Sequence, residues 1–230
     1  MSTDLSIFDI AGPVMVGPSS SHTAGACKIG QFARALFHGT PAKVTFYLHG
    51  SFGEVYKGHA TDRALLAGVM KFTTSDPRIR DSFEIADSRK LKYEFIKKDL
   101  GADAHPNTVK IVLKNRNRTM SVTGSSVGGG MIEIRKIDNF KVLLHGRAGR
   151  YLSLVAQLIN RHKNLMHLQS RINKLEGIKV AAIDKTDWKH TTLVVISLEG
   201  RRIKLEEVMD LEKNTEGVEF VRSLSKLETQ

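Results

Sequence analysis

The chain has 230 residues, 41% of them hydrophobic and 26% charged, which is enough apolar material for one large core or two small ones and too much for wholesale disorder. No run of about 18 apolar residues exists, which excludes a spanning helix. The single cysteine, Cys27, excludes an internal disulfide and an all-cysteine metal site within this chain.

The opening Met-Ser-Thr-Asp-Leu-Ser has neither the basic nor the apolar region of an export signal. With one cysteine, the expected setting is reducing and cytoplasmic. Net charge is +11, from 35 Lys and Arg against 24 Asp and Glu, a balance that suits nucleic acid or an anionic surface. The excess is spread evenly on either side of Asp138. Its densest stretches, Arg89-Lys-Leu-Lys92 and Lys114-Asn-Arg-Asn-Arg118, lie beside alternating patterns, where basic residues guard strand edges against aggregation. No aromatic-rich ribonucleoprotein motif, zinc finger or heptad-plus-basic region accompanies them, so neither nucleic acid nor membrane is an expected partner.

In chain order, residues 18–37 begin with Gly, Pro and Ser and turn Ala-rich, with Ile29, Phe32, Ala33 and Leu36 at helical spacing. Residues 43–49 alternate and are β-rich, predicting a strand. Thr61-Asp62 is the expected cap of a helix carrying Leu65, Leu66, Val69 and Met70. Four strands are predicted next, at 90–96, 108–113, 119–123 and 131–137. Pro106 precedes the second, and residues 115–117 suit the turn after it.

The result is a mixed α+β domain over residues 1–138 with much antiparallel pairing. A second unit, 139–230, is predicted as a strand at 141–144, a turn at Gly146-Arg-Ala-Gly149 and a helix with Leu152, Val155, Ala156 and Ile159 on one face. Strands at 165–172 and 191–198, a helix at 205–211 and a strand at 218–221 follow. That order, βαββαβ, is the ferredoxin-like pattern.

Four motifs carry chemistry. In Gly17-Pro-Ser-Ser-Ser-His-Thr-Ala-Gly25, three hydroxyls, His22 and Thr23 sit at the mouth of a helix, where free N–H groups and the helix dipole favour a carboxylate or phosphate. Ser21 or Thr23 would serve equally as a plain helix cap. In the segment from His49 to Arg63, His59 is placed to act as acid or base near neutral pH, and Asp62 either orients it or belongs to the next cap. His105-Pro-Asn-Thr108 is a turn before a strand.

Gly124-Ser-Ser-Val-Gly-Gly-Gly130 superficially resembles a phosphate loop. It lacks Gly-Lys-Ser/Thr and leads into a strand, so its glycines are expected to supply positive φ or close approach. Cys27 reads as a buried packing residue. Together the motifs describe a small anionic ligand held between β-rich elements, without naming a reaction.

These motifs, in this order over residues 7–134, resemble the β subunit of iron–sulfur-dependent L-serine dehydratase: Gly17–Thr23, His49-Gly-Ser51, Gly58-His-Ala-Thr-Asp62, His105-Pro-Asn-Thr108 and the 124–130 loop. The resemblance implies an allosteric-substrate-binding-like first domain, as in some phosphoglycerate dehydrogenases, and an ACT-like second domain. It further implies deamination of L-serine to pyruvate and ammonia, with a [4Fe–4S] cluster on a separate α subunit acting as Lewis acid. One cysteine cannot ligate such a cluster, so a hetero-oligomer is expected.

By the same resemblance, Ser19, Ser20, Ser21, His22 and Thr23 face that cluster and hold the substrate carboxylate. His59 and Asp62 line the cleft with His22 as the catalytic set, His59 shuttling the proton. His49, Ser51, Asn107 and Ser125 complete the substrate contacts. The competing expectation is a regulatory module that senses an amino acid without chemistry, in which the His and Ser motifs would be expendable.

Overall fold

The computed structural model describes residues 15–145 and 152–224. The chain start and the expected turn at 146–149 lie outside the described residues. The fold is α+β, with two compact units: the first takes the described residues up to Asp138 and again 142–145, the second takes 139–141 and 152–224.

In the first unit, a π-type helical turn, Ser20–Gly25, runs without a break into α1, Ala26–Leu36. There follow β1 (Lys43–Leu48), a short α2 (Gly50–Val55) and α3 (Thr61–Val69). After a 3-10 turn at Pro77–Asp81 come α4 (Ser82–Ser88) and β2 (Lys92–Lys97). The remaining strands are β3 (Thr108–Lys114), β4 (Thr119–Gly128), β5 (Met131–Ile137) and β6 (Phe140–His145). They form one sheet in the order β2-β1-β3-β4-β5-β6. β1 and β2 are parallel, while β1–β3, β3–β4 and β4–β5 are antiparallel.

Alternation along these strands sends Val44, Phe46, Leu48, Val109, Ile111, Leu113, Met120, Val122 and Ile134 into a core. The periodic apolar face of α1, with Ile29, Phe32, Ala33 and Leu36, is buried too. α1 and α3 pack almost backbone to backbone. A Cβ added at Gly30 would strike Leu65 O, and one at Gly68 would strike Cys27 O and lie 2.9 Å from Gln31 N. A glycine on each helix is therefore what permits the crossing.

The second unit consists of β7 (Leu152–Ile159), α5 (His162–Asn173), β8 (Ile178–Trp188), β9 (Thr191–Gly200), α6 (Leu205–Asn214) and β10 (Val218–Ser223). Its sheet order is β10-β7-β9-β8. Both crossovers carry a helix, and Leu168, Ile172, Val208 and Leu211 from the helices join Leu154, Ala156, Leu158, Val194, Ile196 and Leu198 from the sheet in one core.

Within this unit the βαββαβ order stands, but its first elements differ from expectation. Residues 152–159, expected as a helix, are strand β7. Val155 is as fully buried as Leu154 and Ala156 although it shares a face with the half-buried Ser153 and Gln157, and this break in the alternation leaves a helical period to be found by chance. Residues 165–172, expected as a strand, lie in α5, where Leu165, Leu168 and Ile172 keep helical spacing against the core. Strand 141–144 is β6, an edge of the first sheet. β8, α2 and α4 were not expected.

Two caps also differ. Ala60, in the left-handed region at φ 55°, precedes α3 in place of Thr61-Asp62. Ser19, not Ser21 or Thr23, caps the helical turn through a bond from His22 N at 3.1 Å.

Candidate active site

Four separated segments converge at the N-terminal end of the helix that continues into α1. The Ser19 cap leaves the opening N–H groups of Ser20 and Ser21 without intrahelical acceptors. The His22 ring leaves this turn toward α2, where its Nε2 shares a hydrogen bond with Ser51 Oγ at 3.0 Å. The ring lies edge-on to Phe52 at 5.4 Å and to His59 at 4.9 Å between centroids. Burial, and secondarily the nearby His59, push the His22 pKa below the ordinary imidazole value, so the ring is neutral near pH 7. Thr23, fully buried, donates to His59 O at 3.2 Å and so ties the helix to the chain just before α3.

The other wall is built from the 105–108 turn and the end of β4. Thr108 Oγ1 donates to His105 O at 2.5 Å. A hydroxyl has one proton, so in the 2.7 Å contact between Thr108 and Ser125 the donor is Ser125. Ser125 is fully buried and committed to this chain of bonds. Asn107 N donates to His105 Nδ1 at 3.1 Å, and Asn107 O accepts from Ser126 N at 2.9 Å. Ser126, which the sequence did not single out, is fully buried and packs against Gly25, where any Cβ would collide with its Oγ. The available signal was the pairing of a small residue in the helix mouth with a serine-rich strand end.

His22, Ser51, His59 and Thr23 are thus brought together, and Asn107, Ser125 and Ser126 form the adjoining wall. His59 Nδ1, Asn107 Oδ1 and Ser126 Oγ are buried and have no hydrogen-bond partner. Groups in that state cost stability unless a ligand or water satisfies them.

Two expected residues make no hydrogen bond within this group. Asp62 is buried and its Oδ1 accepts from Arg63 N at 2.8 Å. Desolvation raises its pKa against the bond from Arg63 N and the nearby charges, and it makes no hydrogen bond to either imidazole. His49 turns toward the stretch after β2, where Leu100 N donates to its Nδ1 at 3.1 Å, which leaves the ring proton on Nε2. Asp99 Oδ1 is 3.3 Å from the same nitrogen. Two acceptors do not bond each other, and each has its own N–H donor: Leu100 N for the His49 nitrogen and Gly101 N, at 2.9 Å, for Asp99 Oδ1.

The described residues do not fit a cluster cradle. Cys27 is fully buried, its Sγ faces Phe72 O at 3.5 Å, and burial pushes its thiol up to about 12. Among the described residues no three of His, Cys, Asp and Glu gather as a ligand set.

A two-unit α+β protein with a histidine–hydroxyl cleft at a helix mouth is the class that these observations define. Residues 6–136 match the family of the serine dehydratase beta chain. The chain is 41% identical over 194 residues to the L-serine dehydratase beta chain of Peptoniphilus asaccharolyticus, covering 79% of this chain and 87% of that one. It is 46% identical over 141 residues to a probable L-serine dehydratase beta chain of Bacillus subtilis, covering 61% and 64%. A third relative, the L-serine dehydratase of Helicobacter pylori strain J99, is 33% identical over 158 residues, which are 59% of this chain and 34% of that protein. The chain belongs to the serine dehydratase beta chain family.

Proposed function

We propose that this chain is a lyase subunit that supplies one wall of a composite active site, where L-serine loses water and then ammonia to give pyruvate. The opposing wall, with the [4Fe–4S] cluster, belongs to an α subunit. The observation that carries the reading is the neutral His22 held against Ser51 and His59 at a helix mouth, beside buried polar atoms with nothing to bond. Support for a partner comes from the H. pylori relative, of which this chain matches 34%, and from the unsuitability of Cys27 as a ligand.

In this reading the Ser20 and Ser21 N–H groups and the helix dipole hold the substrate carboxylate. A base takes the Cα proton, the C–O bond breaks, and the hydroxyl leaves as water. The resulting aminoacrylate tautomerises to an imine and hydrolyses to pyruvate and ammonia. His22, kept neutral by burial, accepts a proton near pH 7. His59, with its free Nδ1, relays it to the departing hydroxyl, which leaves as water, and Ser51 fixes the His22 ring. Thr108 and Ser125 hold Asn107 in place from behind.

The first unit, whose sheet includes β6, forms the catalytic domain, and the second, from β7 onward, an ACT-like regulatory domain, a reading supported by the βαββαβ order and the β10-β7-β9-β8 sheet. The setting is the cytoplasm.

Purifying the chain with a cysteine-bearing α subunit and assaying pyruvate release anaerobically, each chain alone and then mixed, tests the proposal. Activity only in the mixture is expected. Pyruvate from this chain alone, or none from the mixture, overturns it.

A further inference from the structure

Lys28 stands apart from the site motifs. It is half-buried on α1, one helical turn beyond Gly25, and therefore shares Gly25's face of the helix. Its Nζ donates to Gly130 O at 2.9 Å, across 102 residues of sequence. No carboxylate pairs with it among the described residues. A desolvated ammonium held by one carbonyl is a costly arrangement unless it does something for the structure.

What it holds is informative. Gly128, Gly129 and Gly130 all have positive φ, at 117°, 59° and 76°, so this turn between β4 and β5 has little intrinsic stiffness. The pairing of β4 with β5 also slips register between Ser126 and Gly128, which weakens the ladder where it would otherwise locate the strand end. The same face of the helix meets β4 at three levels: Gly25 at Ser126, Ile29 at Gly124, and Lys28 at the glycine turn.

We propose that Lys28 is a positioning residue that fastens the glycine turn to α1 and thereby holds Ser126, with its unpartnered hydroxyl, at the mouth of the site. Lys28 touches no substrate itself. It acts through β4, and its catalytic consequence rests on the functional reading above.

The test uses Lys28→Met, which keeps the length of the stem but removes the donor, Lys28→Arg, which keeps a donor, and Lys28→Gln should the Met variant not fold. Hydrogen exchange on the whole chain follows peptides spanning 124–131, including Ser126 N. In the Met variant their exchange is expected to quicken by roughly tenfold or more, the factor lost with a charge-assisted hydrogen bond, and in the Arg variant to return toward wild type. In the reconstituted complex the Met variant raises KM for L-serine more than it lowers kcat. Unchanged exchange and unchanged KM in the Met variant overturn the proposal. Altered exchange with wild-type KM overturns its link to the site. Absence of pyruvate from the wild-type complex strikes the functional reading instead and leaves the exchange result to decide the role of Lys28 in the turn.

Discussion

His22 Nε2 and Ser51 Oγ lie 3.0 Å apart although 29 residues separate them, and this contact joins the helix mouth to the short helix after β1. His22→Asn is expected to lower pyruvate formation by at least about 100-fold, the low end for a proton-transfer group. Ser51→Ala, which removes one hydrogen bond to the ring, is expected to cost no more than roughly tenfold. Steady-state turnover of the reconstituted complex measures both. A Ser51→Ala loss as large as that of His22→Asn would assign the hydroxyl a direct part in the reaction.

The depressed pKa of His22 has a consequence for stability. Its folded value lies below the unfolded value of about 6.5, so in that interval the folded chain binds fewer protons than the unfolded one. The stabilisation from the neutral ring is present above about pH 6.5 and is lost as pH falls through the interval. Thermal midpoints measured from pH 7.5 down to 5 are expected to fall in the wild type and to fall less in His22→Asn. Parallel curves would refute this assignment.

His59 and Asp62 are separable. Asp62 bonds Arg63 N, and neither imidazole, so Asp62→Asn is expected to stay within roughly threefold of wild-type turnover, the change in a single neutral hydrogen bond. His59→Gln is expected to lose about 100-fold or more. Near-normal turnover by His59→Gln would remove it from the proton path.

The α1–α3 crossing depends on the absence of side chains at Gly30 and Gly68. Gly68→Ala places a methyl against Cys27 O and Gln31 N and is expected to destabilise the chain by about 1–3 kcal/mol, despite the better helix propensity of alanine. Chemical denaturation of the single variant provides the measurement.

In the second unit, Arg201 donates to both oxygens of Glu207, at 2.5 and 2.9 Å, and Lys204 N donates to the same carboxylate at 2.7 Å. The Arg201 bond leads in holding the Glu207 pKa down to about 2. Such a carboxylate stabilises the fold above the ordinary value of about 4.3 and ceases to do so as pH falls toward 2. Arg201→Met is therefore expected to lower the thermal midpoint at pH 7 and to make no difference near pH 2. Solvent at the pair's edge keeps the effect modest.

Much of this architecture is legible without coordinates. Alternation at 43–48 and 108–113 and the helical stripe Ile29, Phe32, Ala33 and Leu36 are local consequences of burying one face, and they predict β1, β3 and α1. The motif residues His22, Ser51 and His59 are recognisable as polar groups crowded among glycines. The helix expected at 152–159 is strand β7, because Val155, buried on the face that also carries Ser153 and Gln157, interrupts the alternation and leaves Leu152, Val155, Ala156 and Ile159 at helical spacing. The helix mouth, the carboxylate-friendly composition and the incapacity of one cysteine to hold a cluster are likewise properties of residue order alone.

Only the folded chain decides which of these groups meet. Asp62 and His49 sit in the same sequence window as His59, yet Asp62 accepts from Arg63 N and His49 from Leu100 N, and neither bonds His22 or His59. Ser126, unremarkable beside Ser125, keeps a buried hydroxyl without a partner, because the hydroxyl of Ser125 faces Thr108 and that of Ser126 faces Gly25. Neighbouring side chains on a strand point to opposite faces, so which serine serves the site is set by the sheet's register against α1, a long-range packing outcome that residue order does not encode locally.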